Sequence, residues 1–452
     1  MSDFAHDNLS DVIERHKILI CLSLVTLIVL GVILTNVFSV LAFIMFALIV
    51  IFAKEQFILC LLLFILPFAS LFKLAPETFS IFTFCEVLVI IRIFFTKKVS
   101  VSVIVGGLVY FGYLILGTYI RGQALDFEHI KQLENILMLY SLVLMSKETP
   151  FKKIATYYIW GMVLSSFVGL YAQGKPIFYE YARHINMDTG EYTRFCGLAG
   201  DPNYYSVNMI FAFIMLLALR KKETIKVDTF WVLYGILTVF GFLTVSKSFM
   251  LMYIIIFAVT MVIVMKKGNP IENCLLALGV VAILGVGLAD GGLISTVLER
   301  LTSSNNMHEL TTGRSTLWEG YMDLLMADPG AMVFGTGLTN HMLNGKGTHN
   351  IYIELIYYLG LAGTLLFVVN IYFCLKEKVT KEKKEGFNKL GWVALAVMYF
   401  FLQALFSYAF MYIIFFAYLI FETKMNKKNT CESFVENDTK IISCDNKETR
   451  EK

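Results

Sequence analysis

Charge is scarce in this chain: 38 Lys+Arg and 35 Asp+Glu make up 16% of 452 residues, against about 25% in soluble domains. That excludes an ordinary soluble globular domain, and an apolar content of 57% excludes disorder through its bulk. Only 7 prolines, beside 39 phenylalanines and a mean hydropathy of +0.69, place much of the chain in a solvent as apolar as its side chains. Metal-binding spacings such as Cys-x-x-Cys and His-Glu-x-x-His are absent, so neither a metal nor another cofactor is expected. The 8 cysteines are scattered, and only Cys196 falls in an outward loop, where it has no partner for a disulfide. The formal charge of +3 does not point to nucleic acid, because in such a chain the placement of charge matters more than its sum.

What the chain has in abundance is long apolar runs. They start near Ile18, Val37, Gln56, Thr78, Val101, Lys131, Ile154, Tyr204, Thr229, Ser248, Ile271, His349, Leu390 and Ser407. At about 20 residues per span this predicts an all-α polytopic integral membrane protein of about fourteen transmembrane helices, since barrel strands would be about 10 residues long and alternate with period two. Basic clusters follow every second run: Lys54; Lys97 and Lys98; Lys147, Lys152 and Lys153; Arg220, Lys221 and Lys222; Lys266 and Lys267; 376–389; and Lys424, Lys427 and Lys428. The positive-inside rule assigns those loops and both termini to the cytoplasm. The expected layout is a retained cytoplasmic arm at 1–17, a membrane domain over 18–423 and a polar tail at 424–452 whose composition predicts disorder.

Two outward loops are long, 173–203 and 290–348, and loops of that size carry sites. The outward cations are Lys73, Arg121, Lys175, Arg183, Arg194, Lys247, Arg300, Arg314 and Lys346, and the outward histidines His129, His184, His308, His341 and His349. In the first loop Arg194 precedes Gly197, Gly200 and Asp201-Pro202-Asn203, a turn followed by a helix start in which Asp201 or Asn203 is the cap and Pro202 fits the first turn. A cation beside such an amide-rich helix start suits an anion. Lys247 lies in the short connection Ser246-Lys247-Ser248, with no acidic neighbour.

In the second loop, 291–301 and 316–326 read as short amphipathic helices. The latter, with Leu317, Trp318, Tyr321, Leu324 and Leu325, is suited to the membrane surface. Arg314, at its start, combines a guanidinium fork with cap residues and suits a phosphate. The glycine-rich stretch 330–347, with Gly335-Thr336-Gly337, lacks the strand and the Gly-Lys-Ser/Thr ending of a nucleotide loop and is expected to be a flexible or tightly turning lid. It leads to His349-Asn350 at the start of a span, where a helix N-terminus keeps a histidine neutral, the state of a general base. Glu86 and Arg92 in one span read as a structural pair; Glu134 and Glu354 lie nearer the outer side, where they are candidates to contact the cations or orient His349.

The order of these features, Arg194-x-x-Gly197 with Asp201-Pro202-Asn203, then Ser246-Lys247-Ser248, Gly313-Arg314-x-x-x-Trp318, Gly335-x-Gly337 and His349-Asn350, resembles the O-antigen ligase and polymerase superfamily over about residues 173–373. The resemblance implies a helical bundle related to the C-type glycosyltransferases, with a long late extracytoplasmic loop, in the bacterial cytoplasmic membrane. It implies metal-independent, inverting transfer of a glycan from undecaprenyl diphosphate to an acceptor glycan. His349 would be the base; Arg194, Arg314, Lys247, Asn203 and Asn350 would bind the diphosphate and sugars, with Glu354 and Asp201 orienting. Where the family commonly has Ser-Arg, this chain has Ser246-Lys247, which keeps the charge but not the bidentate geometry. Polymerisation of lipid-linked repeat units into capsule, exopolysaccharide or O-antigen is the leading expectation, with a chain-length regulator and a flippase of the same pathway as candidate partners. The alternatives are a ligase that moves finished glycan to a lipid or protein and, in another class, a flippase or exporter of lipid-linked glycan.

Overall fold

The computed structural model describes residues 12–75, 78–173, 175–178, 194–267, 270, 272, 314–339, 342–376, 389–403, 405–407 and 409–422. Among these there is no β-strand, only an isolated bridge between Lys73 and Ser80. The helices are α1 (Lys17–Ile33), α2 (Val37–Phe52), α3 (Glu55–Ile65), α4 (Ile81–Thr96), α5 (Val101–Ile120), α6 (Phe127–Ser146), α7 (Phe151–Ala172), α8 (Pro202–Lys221), α9 (Val227–Leu243), α10 (Lys247–Lys267), α11 (Arg314–Ala327), α12 (Pro329–Phe334), α13 (Ile351–Leu375), α14 (Leu390–Phe400) and α15 (Phe410–Glu422). Five of them, α5, α7, α8, α10 and α13, are long and apolar enough to cross a membrane. The run near Ile271, the stretch 291–301, the tail at 424–452 and Arg183, His184, Arg300, His308 and His341 lie outside the described residues.

The bundle is built around α8, buried at every residue from 205 to 220, and α15, buried from 410 to 420. An all-round apolar helix has no polar face to give to water, so it takes the centre. α8 packs against α7, α9, α10, α14 and α15. Peripheral helices turn large apolar side chains outward: Leu41, Ile44 and Leu48 on α2, Val105, Leu108 and Leu116 on α5, Leu361, Leu365 and Val368 on α13. A belt of that size is stable only against lipid.

The bundle has two chemically distinct ends. At one, Lys97 bonds Glu55 at 3.0 Å and Glu148 at 2.5 Å, Gln56 Nε2 donates to Glu148 O at 2.8 Å, and Lys222 lies 5.1 Å from the Phe151 ring. The basic loops after α2, α4, α6 and α8 are thus gathered together. Arg220 is part of that basic end but is buried, in a bidentate pair with the buried Glu272 at 2.5–2.9 Å. Glu86 and Arg92, in contrast, do not pair. Six residues on a helix correspond to about 240° of rotation, so they leave α4 on different faces. Glu86 accepts from Tyr412 Oη at 2.8 Å, whereas Arg92 donates to the Val50, Ile51 and Ala53 carbonyls that end α2.

At the opposite end, α13 is broken at Gly360, whose φ of 68° and ψ of 176° are not helical. The break frees carbonyls that lipid cannot satisfy. The stretch 335–337 meets them: the backbone N–H and hydroxyl of Thr336 donate to Tyr357 O, both at 2.8 Å, Gly337 N donates to Tyr358 O at 3.1 Å, and Tyr113 Oη donates to Leu359 O at 2.7 Å. The expected lid is therefore a strut. It requires glycine at 335, where φ is +77° and a Cβ would lie 2.3 Å from Tyr358 O. Gly335→Ala should cost about 1–3 kcal/mol for a positive-φ, extended-ψ backbone that is essentially reserved to glycine and about 1–3 kcal/mol more for crowding. It should lower the midpoint of thermal unfolding in detergent, while Gly112→Ala, where a Cβ meets nothing within 4 Å, should not. Equal midpoints for Gly335→Ala and wild type would contradict this role.

Candidate functional site

Arg194 lies in the stretch before α8, which folds back over α7 and α9. Phe195 N donates to Leu243 O at 3.1 Å, and the Phe195 ring packs edge-on against Tyr205 at 5.3 Å. Ser70 Oγ holds Leu198 O, and Gly197, at φ +55°, fits between Gly169 and the Tyr205 ring. Asp201 Oδ1 accepts from Asn203 N at 2.6 Å and Tyr204 N at 3.2 Å, the expected cap of α8. Arg194 Nε donates to Thr244 O at 2.9 Å and its Nη2 to Asn203 Oδ1 at 3.3 Å, and Ser246 Oγ donates to the same Asn203 oxygen at 3.0 Å. Asn203 thus ties the loop before α8 to the turn between α9 and α10.

That turn is strained. Val245 has φ +46°, a left-handed conformation that costs a non-glycine residue about 1–3 kcal/mol and is rarest for β-branched side chains. It is buried between Thr244 and Ser246, whose backbone and hydroxyls are hydrogen-bonded. The kink delivers Lys247 as the first residue of α10, half-buried.

The second group is built on α11, which is anchored to protein and does not lie solely at a membrane surface. Tyr321 and Leu325 are buried while Leu324 and Met326 are exposed. Trp318 Nε1 donates to Thr348 O at 2.9 Å and Tyr321 Oη to Lys346 O at 2.7 Å. Arg314, at the helix start, donates to Phe401 O at 2.7 Å. His349 is half-buried, just outside the cap of α13, and is itself left-handed at φ +48°. Asn350 Oδ1 caps α13 on Tyr352 N at 2.9 Å and Ile353 N at 3.2 Å.

Electrostatics joins the two groups. Burial lowers the His349 pKa from its ordinary 6.5, the charge of Arg314 lowers it further, and the charge of Asp201 opposes both. Burial also lowers the Arg314 guanidinium, which Asp201 holds up. The Cys196 thiol, pushed up to about 12 mainly by burial and also by Asp201, is not a nucleophile at neutral pH.

Glu354 is buried one turn into α13, where its Oε2 accepts from Leu405 N at 3.1 Å. With Tyr204, Asn208 and Gln403 it lines a cavity of about 250 Å³. Tyr204 Oη donates to Gln403 O at 2.6 Å. Gln403 escaped the sequence reading, although an amide inside an apolar stretch is a signal; so did Thr244 and Phe401, whose backbone carbonyls act independently of their side chains. Of the outward histidines, His129 is structural. Its Nδ1 closes a capping box with Asp126, and its Nε2 lies 2.6 Å from Thr118 Oγ1.

No family model, curated protein or solved structure matches the chain.

The arrangement offers an imidazole biased toward its neutral form by burial and by Arg314. Histidine-labelled protein in detergent should show His349 titrating below pH 6.5. Arg314→Gln should move the midpoint up, because a cation that disfavours protonation is gone, and Asp201→Asn, which keeps the cap, should move it down. A midpoint above 6.5, or one unmoved by Arg314→Gln, would contradict the geometry.

Proposed function

We propose that the chain polymerises undecaprenyl-diphosphate-linked oligosaccharide repeat units on the outer face of a bacterial cytoplasmic membrane. In this reading it has about fourteen spans and both termini inside. The observation that carries the proposal is the gathering of the segments that hold Arg314, Asp201 and His349: Trp318 of α11 bonds Thr348 beside His349, and Arg314, Glu354 and Tyr204, the last beside the Asp201 cap, all bond the one loop between α14 and α15. The sequence resemblance supplies the substrate class. Positive-inside orientation makes the basic end cytoplasmic and the opposite end outer.

The chemistry follows from charge. His349, neutral at working pH, takes the proton of an acceptor hydroxyl as its oxygen attacks the anomeric carbon of the lipid-linked sugar. The bond from that carbon to the diphosphate oxygen breaks, its electron pair leaves with the diphosphate, and the single displacement inverts the configuration. Arg194 and Arg314, with Lys247, stabilise the departing charge, a role otherwise served by a metal ion. Asn203 and Ser246 hold the Arg194 side of the site in place, Asp201 and Glu354 orient, and Asn350 fixes the approach to α13. General-base help contributes roughly a hundred- to ten-thousandfold, and one lost charge-stabilising donor costs about a hundred- to a thousandfold. A flippase would need cations deep within its spans, whereas Arg194, Arg314 and Lys247 cluster at helix ends.

Purified protein given lipid-linked repeat units should lengthen them, and His349→Ala and Arg314→Ala should each lose at least about a hundredfold in rate. Full activity in both variants would overturn the assignment. Gene deletion separates the two acceptor classes: single repeat units mark a polymerase, and accumulated long lipid-linked chains mark a ligase.

A further inference from the structure

The opposite, basic end of the bundle carries a second cavity that the proposed reaction does not use. Between α1, α3 and α7 lies a cavity of about 430 Å³ walled by Leu22, Phe64, Trp160 and Leu164. Trp160 and Leu22 are exposed at its rim, at 46% and 45%. Tyr157 and Lys17 connect it to a smaller cleft of about 40 Å³ that contains Lys153 and Gln56. From Lys153 to Leu164 the helix rises about 16 Å, which is half of a hydrocarbon core of about 30 Å. The groove therefore runs from the membrane surface at the basic end to the mid-plane, the depth of one leaflet.

Its two ends differ in chemistry. The deep part is lined by apolar and aromatic side chains, and the mouth is cationic. Lys153 Nζ donates to Gln56 Oε1 at 3.3 Å, and Lys17 Nζ lies 3.9 Å from Glu14. Two lysines against one carboxylate, with Arg15 and Lys152 next to them in sequence and exposed, leave the mouth positive. An uncharged occupant would gain nothing from that charge, and a zwitterionic lipid would gain less than an anionic one, because its own cation competes with the lysines for its phosphate.

We propose that this groove binds an anionic phospholipid, with one acyl chain against Trp160 and Phe64 and the phosphate between Lys17 and Lys153. A lysine near an anionic surface is worth about fivefold in binding, so the pair should give roughly a thirtyfold preference over a zwitterionic lipid.

Trp160 provides the readout. Full-length protein would be reconstituted into nanodiscs with increasing fractions of acyl-brominated phosphatidylglycerol or phosphatidylcholine, and the Trp160 emission taken as the difference between wild type and Trp160→Phe. Phosphatidylglycerol should quench at a mole fraction about thirtyfold lower, and Lys17→Gln with Lys153→Gln should remove that preference while changing quenching by phosphatidylcholine less. Equal quenching by both lipids, or a preference that survives the double substitution, would overturn the proposal. So would absence of quenching by either lipid, which would mean that a second copy of the chain or another protein segment seals the groove.

Discussion

Backbone that leaves the helical path inside an apolar bundle must find hydrogen-bond partners from its own protein, because lipid supplies none. The whole end of this molecule opposite the basic loops is organised by that requirement. The loop between α14 and α15 shows it most fully: Phe401, Gln403, Leu405 and Phe406 offer carbonyls that accept from Arg314, Tyr204, Gln132 and Lys131, while Leu405 N is taken by Glu354. The broken α13 is met in the same way by Thr336, Gly337 and Tyr113. Each irregular segment is thus fixed by groups from other parts of the chain, side chains of several helices in the first case and mainly the 335–337 backbone in the second.

The candidate site uses the same side chains that solve this backbone problem. Arg314 holds Phe401 O and also lowers the pKa of His349; Asp201 caps α8 and also raises that pKa. Functional geometry and structural satisfaction are therefore not separable residue by residue. The two left-handed residues with roles here, Val245 and His349, mark the points where the chain is bent to bring Lys247 and the imidazole to one end. Such strain persists only where the surroundings over-determine it, and the hydrogen-bonded frame around Thr244, Ser246, Thr348 and Asn350 provides that.

How legible this was from sequence depends on range. Apolar runs became helices because a span is a local property of about 20 residues. The caps Asp201 and Asn350 were readable for the same reason, since a cap and its N–H groups lie within three residues. Non-local pairings were not readable. Gly335-Thr336-Gly337 looks like a lid because its partners, the freed carbonyls near Gly360, lie more than twenty residues on. Arg92 finds its acceptors on α2 and Glu86 finds its donor at Tyr412, so a pair that looked self-contained in one helix is shared among three. Depth in the bundle was equally hidden: Arg220 looked like one cation of a cytoplasmic cluster and is a buried partner of Glu272.

Central to the proposal is that Arg194, Arg314 and Lys247 form an anion site for a lipid diphosphate. It is tested most directly by measuring binding of a polyprenyl diphosphate to the purified full-length protein in detergent, with the monophosphate as reference. Charge-assisted hydrogen bonds are worth about 1.5–3 kcal/mol each, so Arg194→Gln and Arg314→Gln should each weaken the diphosphate at least about tenfold and narrow its advantage over the monophosphate. Unchanged affinity in both variants, or no preference for the diphosphate in wild type, would contradict the account.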